Sequence, residues 1–125
     1  MEITNRKDIR PFITKDKSII REIFAYRNAK IKNQSLAEAT VLPGKTTTGH
    51  FHKKTEEIYY ILSGQGRMFI NKEEREVKKN DAIAIPPKTR HKIKNTGQKK
   101  LVFLCLCAPA YEYEDTVLCS VVSKI

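Results

Sequence analysis

Two histidines separated by a single residue, His50 and His52, are the part of this sequence best suited to chemistry. The chain has only three histidines in 125 residues, and two adjacent glutamates, Glu56 and Glu57, follow the pair closely. Because side chains on a β-strand alternate between its two faces, the imidazoles of His50 and His52 would point the same way on one strand. Two imidazoles on one face can bind one divalent metal ion at about 2.0–2.2 Å from each nitrogen.

A carboxylate and a third imidazole follow at positions where they could join this pair. Glu57 begins the next β-rich run, and antiparallel pairing of that run with the histidine strand would bring its carboxylate opposite the pair. His91 begins another such run after a proline turn. Three imidazoles and one carboxylate would leave one or two positions of a six-coordinate ion open for a substrate. The alternative is an H-x-H pair on the surface that binds no metal.

Short β-strands are the elements that would position these side chains. Turn sequences recur at intervals of about ten residues, as in an all-β sandwich or barrel. Between the turns lie runs with two-residue alternation or high β propensity: 35–41, 57–62, 67–70, 75–78, 82–85, 91–94, 101–107 and 116–122. Residues 18–28 fit a helix that begins after Ser18 and fit a strand equally well, so both alternatives stay open. The pattern predicts an all-β fold.

Composition excludes several classes of protein. With 125 residues, 40% hydrophobic and 30% charged, the chain is typical of one soluble globular domain. No apolar run approaches the roughly 20 residues of a membrane span, and the N-terminus lacks the apolar core of a signal peptide. Three cysteines, an odd number, argue against a disulfide framework. We therefore expect a cytoplasmic protein that does not bind membranes.

The net charge of +10 arises from 24 Lys and Arg against 14 Asp and Glu. These basic residues are scattered over every segment, without a basic helical stripe or aromatic residues interleaved among them, so we predict no binding to nucleic acid. A positive surface and a divalent ion, offset among the ligands only by Glu57, would together favour an anionic or oxygen-chelating ligand. Small hydroxy, keto and sugar acids are the ligands expected on this ground.

Two motifs with fixed spacing contain all three histidines. The first, G-x5-H-x-H-x4-E-x6-G, spans residues 44–64, and the second, N-x5-P-x-K-x2-H-x3-N, spans residues 80–95. They resemble the two signature motifs of the cupin superfamily, and the chain is similar to its small single-domain members, such as the mannose-6-phosphate-isomerase-like group. The second motif has Asn80 and Lys88 where the family usually has glycine. Asn80 tolerates a positive φ, and at Lys88 we expect a type I or slightly strained turn.

The resemblance implies a jelly-roll β-barrel over about residues 36–107 within a single domain, 1–125. It also implies a metal ion inside the barrel, with Glu56 as the competitor of Glu57 for the carboxylate position. The implied ligands are His50, His52, Glu57 and His91. The ion would be one of Mn, Fe, Ni, Zn or Cu, because sites of this kind follow metal availability as much as affinity.

Alternation along the strands also predicts the wall of a pocket beside the ion. Tyr59 shares the face of Glu57 and is the aromatic residue expected nearest to the metal. The other candidates for the substrate pocket are Met68, Ile70, Ile93, Phe103 and Cys105. We interpret Cys105, Cys107 and Cys119 as small packing residues, with a second metal site or a redox pair as the weaker alternative.

The leading hypothesis for function is a metal-dependent enzyme acting on a small oxygen-rich molecule, such as a sugar derivative or an organic acid. An iron-dependent dioxygenase and a non-catalytic binder of a sugar or another small molecule are the alternatives, since one fold hosts many functions. No catalytic residue can be assigned. A titratable group in the pocket besides the ligands would favour catalysis, whereas a wholly apolar wall would favour binding or oxygen chemistry.

We also expect a homodimer, because the segments 1–35 and 108–125 carry more apolar residues than one small barrel can bury. These segments would cover the barrel or form the dimer interface. The residues expected there are Ile19, Ile20, Ile23, Phe24, Val117, Leu118, Val121 and Val122.

Overall fold

The computed structural model describes residues 1–119 of the chain, and the elements within them are β-strands and two 3-10 turns. The turns are Arg6–Asp8 and Tyr113–Asp115. The strands are β1 (Phe12–Ile13), β2 (Ile19–Phe24), β3 (Ser35–Val41), β4 (His50–His52), β5 (Glu56–Ser63), β6 (Gln65–Ile70), β7 (Glu73–Lys78), β8 (Ala82–Ile85), β9 (His91–Asn95), β10 (Leu101–Ala108) and β11 (Thr116–Leu118). Across this part of the chain, no helix has the length and apolar character needed to cross a membrane.

Two antiparallel sheets face each other and enclose the core. The first has six strands in the order β1-β2-β3-β10-β5-β8, and the second has five strands in the order β11-β4-β9-β6-β7. Strands distant in sequence are neighbours in both sheets, as the Greek-key connections of a jelly roll require. The predicted all-β jelly-roll fold is therefore confirmed.

Alternating burial explains why the central strands of the six-stranded sheet pack as they do. In β5, Glu57, Tyr59 and Ile61 are buried while their neighbours are more exposed. In β10, every second residue from Leu101 to Cys107 is buried in the same way. These inward faces meet Met68 and Ile93 of the five-stranded sheet in one hydrophobic cluster. β5 and β10 thus each present one alternating face to the core.

The open alternative for residues 18–28 is decided in favour of a strand. Ile19–Phe24 forms β2, which pairs with β3 and brings Ile20 opposite Ala39. Ile20 packs against the hydrophobic cluster and also lines the cavity described below. Two of the valines expected at a dimer interface, Val121 and Val122, lie outside the described residues.

The expected pairing of the histidine strand with the strand that follows it is wrong. β4 lies in the five-stranded sheet between β11 and β9, whereas β5 lies in the six-stranded sheet between β10 and β8. The three residues 53–55 carry the chain from one sheet to the other, so the two strands face each other across the barrel. Glu57 therefore approaches the histidines from the opposite sheet, not from a neighbouring strand.

Positive φ angles occur at both positions where the second motif departs from glycine. Asn80 has φ +76°, as its tolerance of this region predicts. Lys88 has φ +62°, which excludes the type I turn, whose third residue has a negative φ. The strained alternative is the one realised. In this conformation the backbone N–H of Lys88 donates to the carbonyl oxygen of His52 at 2.7 Å, which ties the turn to β4.

Candidate metal centre

Three buried imidazoles converge on one point between the sheets. β4 supplies His50 and His52, and the neighbouring β9 supplies His91, which lies directly opposite His50 in the antiparallel register. One ring nitrogen from each of the three lies within 4.8 Å of the other two. Nitrogens bound at about 2.1 Å to one ion lie roughly 3–4 Å apart, so the cluster is consistent with a metal site.

The other ring nitrogen of each histidine, Nδ1, is held by a contact with an oxygen atom of the protein. Nδ1 of His50 lies 2.8 Å from the carbonyl oxygen of Thr48, and Nδ1 of His91 lies 2.8 Å from that of Thr89. Nδ1 of His52 lies 3.0 Å from Oγ1 of Thr116, whose own hydroxyl donates to the carbonyl of Glu112. Because each of these oxygens acts as an acceptor, each Nδ1 carries the proton. Nε2 of each ring is therefore the nitrogen that faces the centre of the cluster and can bind an ion.

The unsatisfied Nε2 of His91 provides a test of whether the site suits a metal. This side chain is completely buried, and its Nε2 has no hydrogen-bond partner among the described residues. A buried polar atom without a partner costs free energy. A metal ion would satisfy it, and outer hydrogen bonds like those on Nδ1 are the usual means of orienting metal-binding histidines. The donor set therefore fits a divalent ion.

Glu57 completes the group from the opposite sheet. Its Oε1 lies 3.1 Å from Nε2 of His52 and 3.5 Å from Nε2 of His91. Burial raises the pKa of this carboxyl, but the adjacent imidazoles of His52 and His91 outweigh burial and hold the pKa well below its usual range. The neighbouring Glu56 is exposed and its side chain points away from the barrel interior.

Burial also keeps His50 neutral. Removal from water, together with the nearby His91, lowers the pKa of His50 from 6.5 to about 4. A neutral imidazole is the form that binds a metal. Near neutral pH, His50 therefore has no proton to lose before it can bind an ion.

A cavity of about 440 Å³ opens beside the histidines, a volume within the range of small-molecule sites. His50, His52 and Glu57 line it. Of the residues predicted for the pocket, the structure places Tyr59, Phe103 and Cys105 in the cavity wall. The other three do not line it: Met68 and Ile93 are part of the hydrophobic cluster, and Ile70 packs against that cluster.

The cysteines are free and buried. Burial raises the pKa of the Cys105 and Cys107 thiols, so both stay protonated. The thiol of Cys107 has a partner that the sequence did not indicate: it donates to Oε2 of Glu57 at 3.3 Å. This contact follows from the register, which sets Cys107 opposite Glu57 on adjacent strands. Cys107 therefore orients the carboxylate as well as packing beside it.

Two residues that were not predicted from the sequence also lie beside the histidine cluster. Asp16 lies in the turn between β1 and β2, and its Oδ2 is 3.9 Å from Nε2 of His50. The Tyr111 ring packs edge-on against His52, with 5.9 Å between ring centroids. Tyr59 lies at the same distance from His91, so two aromatic rings flank the centre. Neither Asp16 nor Tyr111 belongs to a strand or a motif, and no pattern in the sequence places them here.

The charges lining the cavity differ from those expected. The expectation of an anionic ligand assumed that Glu57 alone opposes the metal, but four further carboxylates line the cavity: Asp16, Glu22, Glu112 and Glu114. Arg27 is the cation among the lining residues, and it is paired with both Glu22 and Glu112. The chain is basic outside, yet this cavity carries an excess of negative side chains. These negative side chains argue against the expected preference for acidic ligands.

Comparison with known sequences shows a domain family and several relatives. A family model described as a cupin domain matches residues 37–107. An uncharacterized protein of Methanocaldococcus jannaschii is 52% identical over 113 residues, which are 90% of each chain. A glucose-6-phosphate isomerase of Thermococcus gammatolerans is 30% identical over 108 residues, covering 75% of this chain and 57% of the isomerase. The chain thus corresponds to little more than half of that relative.

Solved structures show the same architecture. A Streptomyces nucleoside dehydratase superimposes with a TM-score of 0.79 at 20% identity, covering 98% of this chain and 94% of the dehydratase. A predicted oxalate decarboxylase from Thermotoga maritima superimposes with a TM-score of 0.76 at 25% identity, covering 86% and 99% of the two chains. At such low identity the first likeness is a likeness of fold, and the chemistry of this chain has to be argued from its own residues.

Proposed function

The chain belongs to the cupin family, and on that premise we propose that it is a metal-dependent enzyme acting on a small oxygen-rich molecule. The observation that supports this most strongly is the common orientation of the three histidines. Each uses Nδ1 for a protein hydrogen bond, which leaves Nε2 free to bind an ion. We propose His50, His52, His91 and Glu57 as the ligands. A bound divalent ion would polarise a carbonyl oxygen and offset negative charge that develops on it.

The residues around this centre support catalysis over simple binding. The cavity wall is not wholly apolar, because the carboxylate of Asp16 lies beside the proposed ligands. Tyr59 and Phe103, with ring centroids 4.5 Å apart, form an aromatic part of the cavity wall. A cavity with an apolar wall, a carboxylate and a metal can hold a small molecule, orient it and move a proton.

A sugar derivative is the substrate class that the relatives support. Several of the similar proteins are glucose-6-phosphate isomerases, and this chain spans 57% of one of them. Metal-assisted isomerisation of a sugar can proceed by removal of a proton next to a carbonyl group, which suits a polarising ion beside a carboxylate. We propose isomerisation, or a related proton transfer next to a carbonyl group, as the reaction class.

The experiment is to load chelator-treated protein with Mn, Fe(II), Ni, Zn or Cu in turn and to incubate it with sugars, sugar phosphates and hydroxy acids in D2O. Nuclear magnetic resonance would then report exchange of the proton next to the carbonyl group. We expect exchange that depends on one or more of the metals and is lost in His52→Ala. Metal-dependent binding without any turnover would contradict the enzymatic proposal and favour a non-catalytic binder.

A further inference from the structure

Asp16 is held in one orientation at the inner end of the cavity. Asp16 is only 8% exposed, and its backbone carbonyl accepts a hydrogen bond from the N–H of Thr48 at 2.8 Å. Oδ1 accepts two hydrogen bonds from Ser18, from the backbone N–H at 2.9 Å and from the hydroxyl at 2.6 Å. Oδ2 is the oxygen that remains on the side of the metal centre, 3.9 Å from Nε2 of His50.

A fixed carboxylate oxygen in this place can accept hydrogen bonds but cannot donate them. A ligand hydroxyl bound next to the ion would donate to Oδ2 and form a charge-assisted hydrogen bond. A ligand carboxylate in the same position would bring two negative charges together in a poorly solvated cavity, where their repulsion is only weakly screened. Oδ2 of Asp16 therefore favours a ligand hydroxyl and disfavours a ligand carboxylate in this position.

We propose that Asp16 selects a hydroxyl group over a carboxylate at the metal-bound end of the ligand. This inference rests on the proposed function and makes its substrate class narrower: a polyhydroxylated molecule, a sugar or a polyol, is preferred to a small organic acid. The rest of the wall suits such a molecule. The rings of Tyr59 and Phe103 can pack against its C–H faces, and Thr14 and Tyr111, whose hydroxyls lie 3.4 Å apart, also line the cavity.

A purely structural role for Asp16 makes a different prediction. Its two bonds to Ser18 stabilise the turn between β1 and β2, so any substitution could lower the melting temperature. Asp16→Asn separates the two roles. The amide oxygen can keep the bonds from Ser18, while the amide nitrogen replaces Oδ2 and turns an acceptor into a donor. If Asp16 selects the ligand, the preference for a hydroxyl over a carboxylate changes in Asp16→Asn even when this variant keeps its fold.

The experiment compares D-glucitol with D-gluconate, which share a carbon skeleton and differ at one end, a hydroxymethyl group against a carboxylate. Dissociation constants for both are measured by calorimetry on metal-loaded wild type and on Asp16→Asn. We expect the ratio of the gluconate constant to the glucitol constant to fall at least about tenfold in Asp16→Asn, the effect of one charge-assisted hydrogen bond. The control is Glu38→Gln, which removes a buried carboxylate that pairs with Arg6 outside the cavity. In this variant the ratio stays unchanged.

Three other results would overturn the proposal. An unchanged ratio in Asp16→Asn, with both probes still bound to the wild type, would overturn the selective role of Asp16 and leave the proposed function in place. Loss of the ion from Asp16→Asn at equal free metal would make Asp16 a ligand of the metal and not a selector. Failure of both probes to bind metal-loaded wild type would count against the proposed oxygen-rich ligand, and the role of Asp16 would fall with it.

Discussion

Each histidine of the cluster uses one ring nitrogen to contact the protein and presents the other to its neighbours. We predict that His50→Ala and His91→Ala lose the bound ion and retain a β-rich circular dichroism spectrum, because ligands on separate strands are removed without disturbing the core. Thr116→Val is the graded control: it removes only the partner of His52, which should weaken metal binding by about 10–100-fold. Elemental analysis of the isolated proteins measures the outcome. Equal metal content in wild type and both alanine variants would contradict the site.

The two adjacent glutamates form a matched pair for a second prediction. Glu57 is buried and within 3.5 Å of two imidazole nitrogens, whereas Glu56 is exposed on the opposite face of β5. Glu57→Ala should therefore weaken metal binding by about tenfold or more, the loss of at least one charged ligand. Glu56→Ala should leave it unchanged. Metal titration monitored by calorimetry tests both, and the reverse order would move the carboxylate ligand by one residue.

The lowered pKa of His50 predicts how the metal-free protein responds to acid. In the unfolded chain His50 binds a proton at about pH 6.5, but in the folded protein it does so only at about pH 4. Between these values the unfolded state binds more protons, so the free energy of unfolding falls as pH decreases, by about 3 kcal/mol in total. Glu57, whose pKa is also lowered in the folded state, adds a further loss below pH 4.5.

Urea unfolding of chelator-treated protein at pH 7 and at pH 4 measures this dependence. The control is His50→Gln, which has no titrating group at this position and should lose less stability over the same interval. If the free energy of unfolding were constant, or were to increase as pH decreased, the buried neutral state of His50 would be contradicted.

At the scale of the elements, the glycines that begin and end the first motif, Gly44 and Gly64, differ in their surroundings. Both have positive φ, +78° at Gly44 and +87° at Gly64. A Cβ at Gly44 would meet nothing within 4 Å, whereas at Gly64 it would lie 2.6 Å from the backbone oxygen of Lys100. We predict that Gly44→Ala costs about 1–2 kcal/mol from backbone strain alone, and that Gly64→Ala costs about 2–5 kcal/mol. Chemical denaturation compares them, and equal losses would contradict the close approach of Gly64 to Lys100.

Strands were predictable where burial alternates, and contacts between sheets were not. The pattern in β5 and β10 is a local property of the sequence, since each inward residue is apolar or is one of the proposed ligands. The partner of a strand depends on the path of the chain, which no local pattern specifies. For that reason Glu57 was expected beside His52 on a neighbouring strand, although it reaches His52 across the barrel.

The candidate site was predictable to the extent that it lies in the two motifs. His50, His52 and His91 have fixed spacing, and the structure brings them together. Asp16 and Tyr111 reach the cavity from turns and irregular chain, where side-chain direction depends on individual hydrogen bonds and not on periodicity. The negative charge of the cavity was missed for the same reason, because residues that line it come from segments far apart in the sequence.

For the whole molecule, the outer face of the six-stranded sheet supports the proposed homodimer. An apolar row crosses five strands in register: Phe24, Leu36, Leu106, Ile58 and Ala84. Within this row Ile58 is 47% and Leu106 is 39% exposed, and contiguous apolar surface of this kind is typical of an interface. A second copy is the proposed occupant because a sheet face can pair with itself about a two-fold axis. Ile20, expected at the interface, instead faces the cavity.

Light scattering tests this proposal. We predict that wild type is a dimer at micromolar concentration and that Ile58→Lys is a monomer, because a charge within the row would be buried at the interface without a partner. Leu42→Lys is the control, since Leu42 is similarly exposed at 40% but lies outside the row. A monomeric wild type would refute the dimer.

The proposed ligands are divided between the two sheets, three histidines on one and Glu57 on the other. A bound ion would therefore act as a cross-link that holds the halves of the barrel together, and its binding free energy would oppose their separation. Amide hydrogen exchange should become slower in both sheets when the wild type is loaded with metal. In metal-loaded Glu57→Ala, the added protection should be confined to β4, β9 and the strands paired with them. The ion would then stabilise the contact between the two sheets in addition to its chemical role.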